Sequence, residues 1–241
     1  MDTGIYVALS KQVGTLRDMD VTSNNIANMT TTGFQADELL FTDFLTSTTP
    51  QENKVAFAND ISTYRDTTQG TLQTTGAPLD AAISGQGYFV VNTPLGQRYT
   101  RNGNFKIGGD GQLVTSDGYP VLDESSQPIT FDDTDRVIDL RDDGTINVDG
   151  GDRATLKIVQ FDNPQLMKQA GKTLYSSDVA PKPAQDFQVL SGVLERSNVV
   201  PFQELTHMMY LSRTLAGTIN FISTMHALER KASDTLSKIY S

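Results

Sequence analysis

Apolar residues recur at alternating steps of three and four near both ends of this chain, and the middle does not share the pattern. Met208, Leu211, Leu215, Ile222, Met225, Ala232, Leu236 and Ile239 form one series, broken at Thr218 and Glu229. Ile5, Leu9, Leu16, Met19 and Ile26 form the other, broken at Gln12 and Ser23. This spacing draws a narrow apolar stripe along a helix, of the width one partner helix covers. It predicts a helix from about Ile5 to Asn28 and another that Pro201 opens, where proline is tolerated. No proline falls in residues 1–49 or 202–241, so neither helix is interrupted. The β-branched Thr30-Thr31-Thr32 and then Gly33 favour leaving the first helix.

Between the helices the period changes. Asn102-Gly103, Asp110-Gly111, Asp117-Gly118, Asp143-Gly144 and Asp149-Gly150 are tight-turn dipeptides of the kind that close hairpins. Short β-branched and aromatic runs lie around them, among them Tyr88-Phe89-Val90-Val91 and Leu156-Lys157-Ile158-Val159. Turns at this spacing predict a compact antiparallel barrel or sandwich-like body. Asn163 to Ala170 is read as a turn or two of helix. The expected fold is therefore α+β: N- and C-terminal helices pairing as a coiled coil, with a central antiparallel β barrel or sandwich-like domain. Residues 1–30 form the first helical segment, 31–69 an extended connection, 70–192 the β domain and 193–241 the second helical segment.

Composition narrows the function. At 241 residues the chain can bury a real core. The net charge of −10 falls on the segment between the helices, since residues 1–34 carry −1 and residues 195–241 carry +1. An acidic body argues against nucleic acid as a partner, because phosphate binding needs clustered Lys and Arg. Near-neutral terminal helices suit close packing among like copies. No apolar run is long enough to span a membrane. The first twenty residues hold Asp2, Asp18 and Asp20 and lack the apolar block of a cleavable signal. With no cysteine, disulfides and thiolate metal sites are excluded.

Little chemistry is in prospect. The two histidines, His207 and His226, fall in no His-Glu-X-X-His pattern. Gly85-Gln86-Gly87 precedes a strand, whereas a dinucleotide loop follows one and opens a helix. Asp139, Asp142, Asp143, Asn147 and Asp149 lack the alternation and terminal glutamate of a calcium loop. No nucleophile, base and orienting group fall together. The expectation is a non-enzyme with no catalytic residue, no metal and no cofactor.

Three stretches resemble one family. Ser23-Asn24-Asn25-Ile26-Ala27-Asn28-Met29 with Thr32-Gly33-Phe34 is similar to the N-terminal signature of the flagellar axial proteins, the rod and hook subunits. Gly70-Thr71-Leu72-Gln73, Thr75-Gly76-Ala77-Pro78-Leu79-Asp80, Ile83 to Val91 and Tyr99 to Phe105 resemble their central block. Gly192 to Val199 resembles the motif before their last helix. The short chain and its opening, Met1 to Ser10, are nearest to the proximal rod subgroup. The distal rod and hook-type proteins are the alternatives, and a secreted β-domain enzyme or binding module is the remote one.

The resemblance implies a structural subunit of the rod, polymerising through its terminal helices into the hollow drive shaft that carries torque from motor to hook. It implies export by the flagellar type III apparatus without a cleaved signal, and a place in the basal-body rod across the periplasm. Other copies, neighbouring proximal and distal rod subunits and surrounding ring proteins are the implied partners. The candidate assembly interface is Ile5, Leu9, Leu16, Met19, Asn24, Asn25, Ile26 and Asn28 with Met208, Leu211, Leu215, Ile222, Met225, Leu236 and Ile239. The terminal helices are expected to complete their folding on assembly, because two stripes this imperfect hold only a marginal pair.

Overall fold

A computed structural model describes the backbone of residues 2–46, 55–132, 135 and 137–239. Side chains are described for the same residues except 2–6, 41–46, 55–61, 233 and 236–239. The chain is α+β and divides into two compact units. A helix unit holds both terminal helices and the segment Asp37–Tyr64, and a β unit holds Asn28–Ala36 and Arg65–Val199.

In the helix unit, α1 spans Asp2–Ala27 and α2 spans Pro201–Ile239. Proline takes the first position of α2, where the missing N–H costs nothing, and the Gln203 and Glu204 amides donate to the Val200 carbonyl. Glu204 in the first turn favours the positive end of the helix dipole. The helices lie side by side and antiparallel: Asn25 reaches Glu204 and Asp18 reaches His207. Strands β1 (Asp37–Thr46) and β2 (Val55–Arg65) pair as a two-stranded sheet, and β1 also packs on α1.

In the β unit, β3 (Leu72–Thr74) pairs with the strand Val193–Glu195, and β4 (Ala81–Gly85) pairs with Phe187–Ser191. Strand β5 (Tyr88–Thr93) lies between β6 (Gly96–Thr100) and Ile158–Gln160 in a six-stranded sheet. β5 is buried on both faces, which is why it reads as an unbroken apolar run. Phe89 and Val91 face one core with Ile83, Leu113, Val121 and Val189. Tyr88 and Val90 face a second, with Tyr99, Leu122, Val159 and Tyr175. Each such side chain contributes roughly 1.5–3 kcal/mol of transfer free energy.

Among the described residues the strands form antiparallel sheets, and none closes into a barrel. Many strands are two or three residues long, too short to carry a ladder around a closed circuit. Asp149-Gly150 closes a hairpin between Thr145–Val148 and Gly151–Thr155, both turn residues having positive φ, 49° and 87°. Asn102-Gly103 does something else. It lies between β6 and Phe105–Ile107, which do not pair, and a Cβ on Gly103 would fall 1.7 Å from the Ala81 carbonyl oxygen. Glycine is needed there for close approach, not for a hairpin. Between Asn163 and Ala170 the chain makes one 3-10 turn, Pro164–Leu166, and then the short strand Lys168–Gln169.

Candidate assembly surface

Two features stand out: the two faces of the helix pair, and a set of polar clamps in the family-like motifs. Along the described part of α2 the buried and half-buried positions are Glu204, Met208, Leu211, Thr214, Leu215, Thr218, Ile222, Met225 and Glu229. From Met208 to Glu229 these positions follow the expected spacing, breaks included, whereas Ala232 is exposed. Leu211 is 4% exposed, and buried Thr218 returns its hydroxyl to the Thr214 carbonyl of its own helix.

On α1 the covered face is a different one. Ala8, Thr15 and Thr22 are buried, one heptad apart, followed by Asn25. Thr15 satisfies its hydroxyl on the Lys11 carbonyl, so this face packs without needing a cross-helix polar bond. Small side chains here let the larger residues of α2 come close. The expected stripe of α1 is left outward: Leu9 is 50% exposed and Leu16 44%, while Met19 and Ile26 are half-buried. The side chains of Ile5, Leu236 and Ile239 lie outside the described residues.

Asn25, 2% exposed, holds the start of β1. Its Nδ2 donates to the Asp37 carbonyl at 2.9 Å and its Oδ1 accepts the Asp37 N–H at 3.1 Å. Nδ2 also lies 3.4 Å from a Glu204 carboxylate oxygen. Asn24 is half-buried. Asn28 belongs to the β unit, where its carbonyl accepts the Thr31 N–H and its Oδ1 accepts the Thr31 hydroxyl. Around Asn25 lies a notch of about 350 Å³, edged by Asp18, Asp37, Glu38, Glu204 and His207. His207 Nε2 is 3.1 Å from both Asp18 carboxylate oxygens. Partial burial holds the Glu204 carboxyl above the ordinary range, against the pull of Asn25 and His207, with Glu38 and Asp18 pushing the same way as burial.

The β unit explains the motifs. Glu195 is buried, and its Oε1 accepts the Gly70 N–H at 3.1 Å. Its Oε2 is 3.5 Å from Arg101 Nη1, and burial keeps its carboxyl above the usual range despite that cation. Arg101 donates to the Ile83 and Gly85 carbonyls and lies over the Tyr88 ring. Asn198 accepts the Ala36 N–H and donates to the Asp66 and Thr68 carbonyls. Asn104 and Thr75 both bond Asp80. These polar residues staple distant backbone segments together. Their partners are mainly backbone atoms far away in sequence, which composition and spacing do not reveal.

A cleft of about 150 Å³ in the β unit is edged by Thr67, Gln86, Tyr88, Arg101, Phe161 and Asp162. Among the described residues no cluster of three or more His, Asp and Glu is placed to hold a metal ion. Among the described residues, too, no helix is long and apolar enough to cross a membrane.

Comparison with known proteins adds two regions and several whole-length relatives. Residues 5–35 match the family described as flagella basal body rod protein, and residues 82–148 match the flagellar hook protein FlgE/F/G D1 domain. The chain is 34% identical to the flagellar basal-body rod protein FlgF of Caulobacter vibrioides, over 99% of this chain and all of the relative. It is 33% identical to FlgF of Rhizobium meliloti over 98% of each chain. It is 30% identical to the flagellar basal-body rod protein FlgG of Bacillus subtilis, over 91% of this chain and 94% of the relative.

Proposed function

Since the chain belongs to the flagellar basal-body rod protein family, we propose that it is a structural subunit of the proximal rod, acting by assembly and not by catalysis. Its place is the flagellar basal body, among the other rod components. The observation that carries the mechanism is the uncovered stripe of α1. Leu9 and Leu16 keep about half of their surface in contact with solvent, on a helix whose other side is already packed. An apolar stripe left outward on a packed helix calls for a further helix.

On this reading the terminal helices form a coiled-coil layer, and neighbouring subunits complete it. The residues of this layer are Ile5, Leu9, Leu16, Met19 and Ile26 of α1 and Met208, Leu211, Leu215, Ile222, Met225, Leu236 and Ile239 of α2, and the outward Leu9 and Leu16 join copies. Asn24, Asn25 and Asn28 fix the exit of α1. The β unit, with its two cores, is a sandwich-like body. The helical layer takes α1 and α2, and the body takes Asn28–Ala36 with Arg65–Val199. The stack transmits torque as a hollow shaft across the periplasm, after export by the flagellar type III apparatus. It joins further copies and the adjoining proximal and distal rod subunits, and the ring proteins surround it.

The α1–α2 seam supports one further element. Its α1 side is made of Ala8, Thr15 and Thr22, which bury little apolar area. Such a pair is marginal alone, so the helices complete their folding on assembly. Hydrogen exchange on the monomer tests this. Weak protection of residues 5–28 and 208–239, rising on assembly, is expected; strong protection independent of concentration would count against it.

The distal-rod reading rests on the similarity to FlgG. Fractionating basal bodies separates the two. A proximal subunit stays with rods that lack the distal segment and hook, whereas a distal subunit is missing from them.

A further inference from the structure

The proposal concerns how one copy meets the next, and it rests on the rod-subunit reading above. Taking about 100° per residue, the exposed side chains of each helix can be placed around its axis relative to the α1–α2 seam. Leu9, Val13 and Leu16 of α1 lie roughly 100–160° round from Thr15, in the direction of increasing residue number. Leu205, Met209 and Ile219 of α2 lie roughly 60–140° round from the covered line, in the same sense. In an antiparallel pair, equal turns in the same sense point to the same side. The two stripes therefore flank a single groove on one side of the pair. All six side chains are exposed, and none is charged.

The opposite side is different in two ways. It carries the notch of Asp18, Asn25 and His207 and the start of β1. Beyond the notch, α2 presents Tyr210, Phe221 and Leu228, roughly 100–120° round in the opposite sense. These three are exposed as well, Tyr210 by 64%. With Gly217 between them they form a ridge at steps of seven, four and seven residues. Helix α2 is thus apolar on three sides, with only its middle line covered by its own α1. A helix of that kind belongs inside a multi-helix layer.

We propose that the groove of one copy receives the Tyr210–Phe221–Leu228 ridge of a second copy of this chain. The groove has the charge-depleted, aliphatic and methionine-containing surface of an interface core, and the ridge supplies the aromatic anchors. The borders agree in charge: exposed Asp20 edges the α1 stripe, and exposed Arg213 and Lys231 edge the ridge. Groove and ridge are on opposite sides of one body, so the contact is head-to-tail. Such a contact leaves a free groove and a free ridge after each addition and propagates into an open array. The groove also continues the α1–α2 seam, so adding a copy extends a packing that already exists.

The chain has no cysteine, which makes the test direct. Val13→Cys and Phe221→Cys are made in separate copies of the full chain. They are produced alone or together in a strain lacking the wild-type gene, and purified basal bodies are treated with a short bis-maleimide. A cross-linked dimer only when both variants are present is the expected result. Dimers from Val13→Cys alone would mean that the grooves face each other, and would overturn the proposal. So would linkage of Val13→Cys to a different polypeptide, or no linkage in basal bodies that contain both variants. Absence of the chain from basal bodies is a separate result and strikes the rod-subunit reading instead. As a second variant, Val13→Asp is expected to lower incorporation about ten-fold, a loss of about 1.4 kcal/mol per contact. The monomer's melting temperature should not change, because Val13 lies outside the α1–α2 seam. Unchanged incorporation would overturn the groove.

Discussion

The side-chain amide of Asn25 grips the backbone of Asp37 from both ends, donating to its carbonyl at 2.9 Å and accepting its N–H at 3.1 Å. One residue near the end of α1 thereby takes the place a neighbouring strand would have. Asn25→Ala removes both bonds in a buried setting and should cost the helix unit about 2 kcal/mol. Asn25→Asp should cost more. It gives up the donor and sets a carboxylate beside Glu204, with Asp18 and Glu38 on the same notch. Thermal unfolding and the exchange rate of the Asp37 amide check both; an Asp37 amide as slow in Asn25→Ala as in the wild type would contradict the clamp.

Glu204 carries a pH dependence whose sign is fixed by its surroundings. Burial raises its folded-state pKa above the unfolded value. Between those two values the folded chain holds the proton more firmly. Stability therefore falls as pH rises through that window, and the cost is complete above the folded pKa. The helix unit should be more stable at about pH 5 than at about pH 7, and Glu204→Gln should flatten that difference. Gln keeps the oxygen that faces Asn25. Melting curves of the two proteins at both pH values decide it, and equal slopes would show that Glu204 is not the source.

Arg101 and Glu195 act as a pair in the β unit. Each is almost fully buried, so removing one leaves the other charge stranded. Arg101→Met or Glu195→Gln alone should cost about 3 kcal/mol or more. The double variant should cost less than the sum by about 1–3 kcal/mol. Denaturant titration of the four proteins gives the coupling, and strict additivity would contradict it.

Glycines 103 and 150 test a distinction between approach and conformation. At Gly103 a methyl group would overlap the Ala81 carbonyl, so Gly103→Ala should cost about 3 kcal/mol, at the upper end of overpacking. At Gly150 nothing lies nearby, and only the positive φ is lost, so Gly150→Ala should cost about 1 kcal/mol. Equal costs would mean that the contact at Gly103 relaxes freely.

Much of this was legible in the chain, and the misses have physical causes. The covered line of α2 follows its apolar spacing even through Thr218 and Glu229, because three-and-four periodicity reports one face whatever occupies it. The covered line of α1 escaped because it is drawn in Ala8, Thr15 and Thr22, which an apolar count passes over. The signal was the heptad repeat of small residues, and the apolar stripe marked the outward face instead. Asp149-Gly150 announced a turn correctly, while Asn102-Gly103 carried the same letters for a different reason. A barrel or sandwich-like body was expected from the turn density; turn spacing does not fix how short strands pair, and among the described residues no sheet closes into a barrel. The clamps at Asn25, Arg101, Glu195 and Asn198 fall within motifs that mark the family, yet their roles emerge only when distant backbone is brought beside them.

The most direct test of the central claim is electron microscopy of basal bodies from cells lacking this chain, with and without a plasmid copy. A proximal rod subunit predicts basal bodies that stop before the rod is complete, with neither distal rod nor hook, and rescue by the plasmid. Complete, motile flagella without the chain would contradict the account.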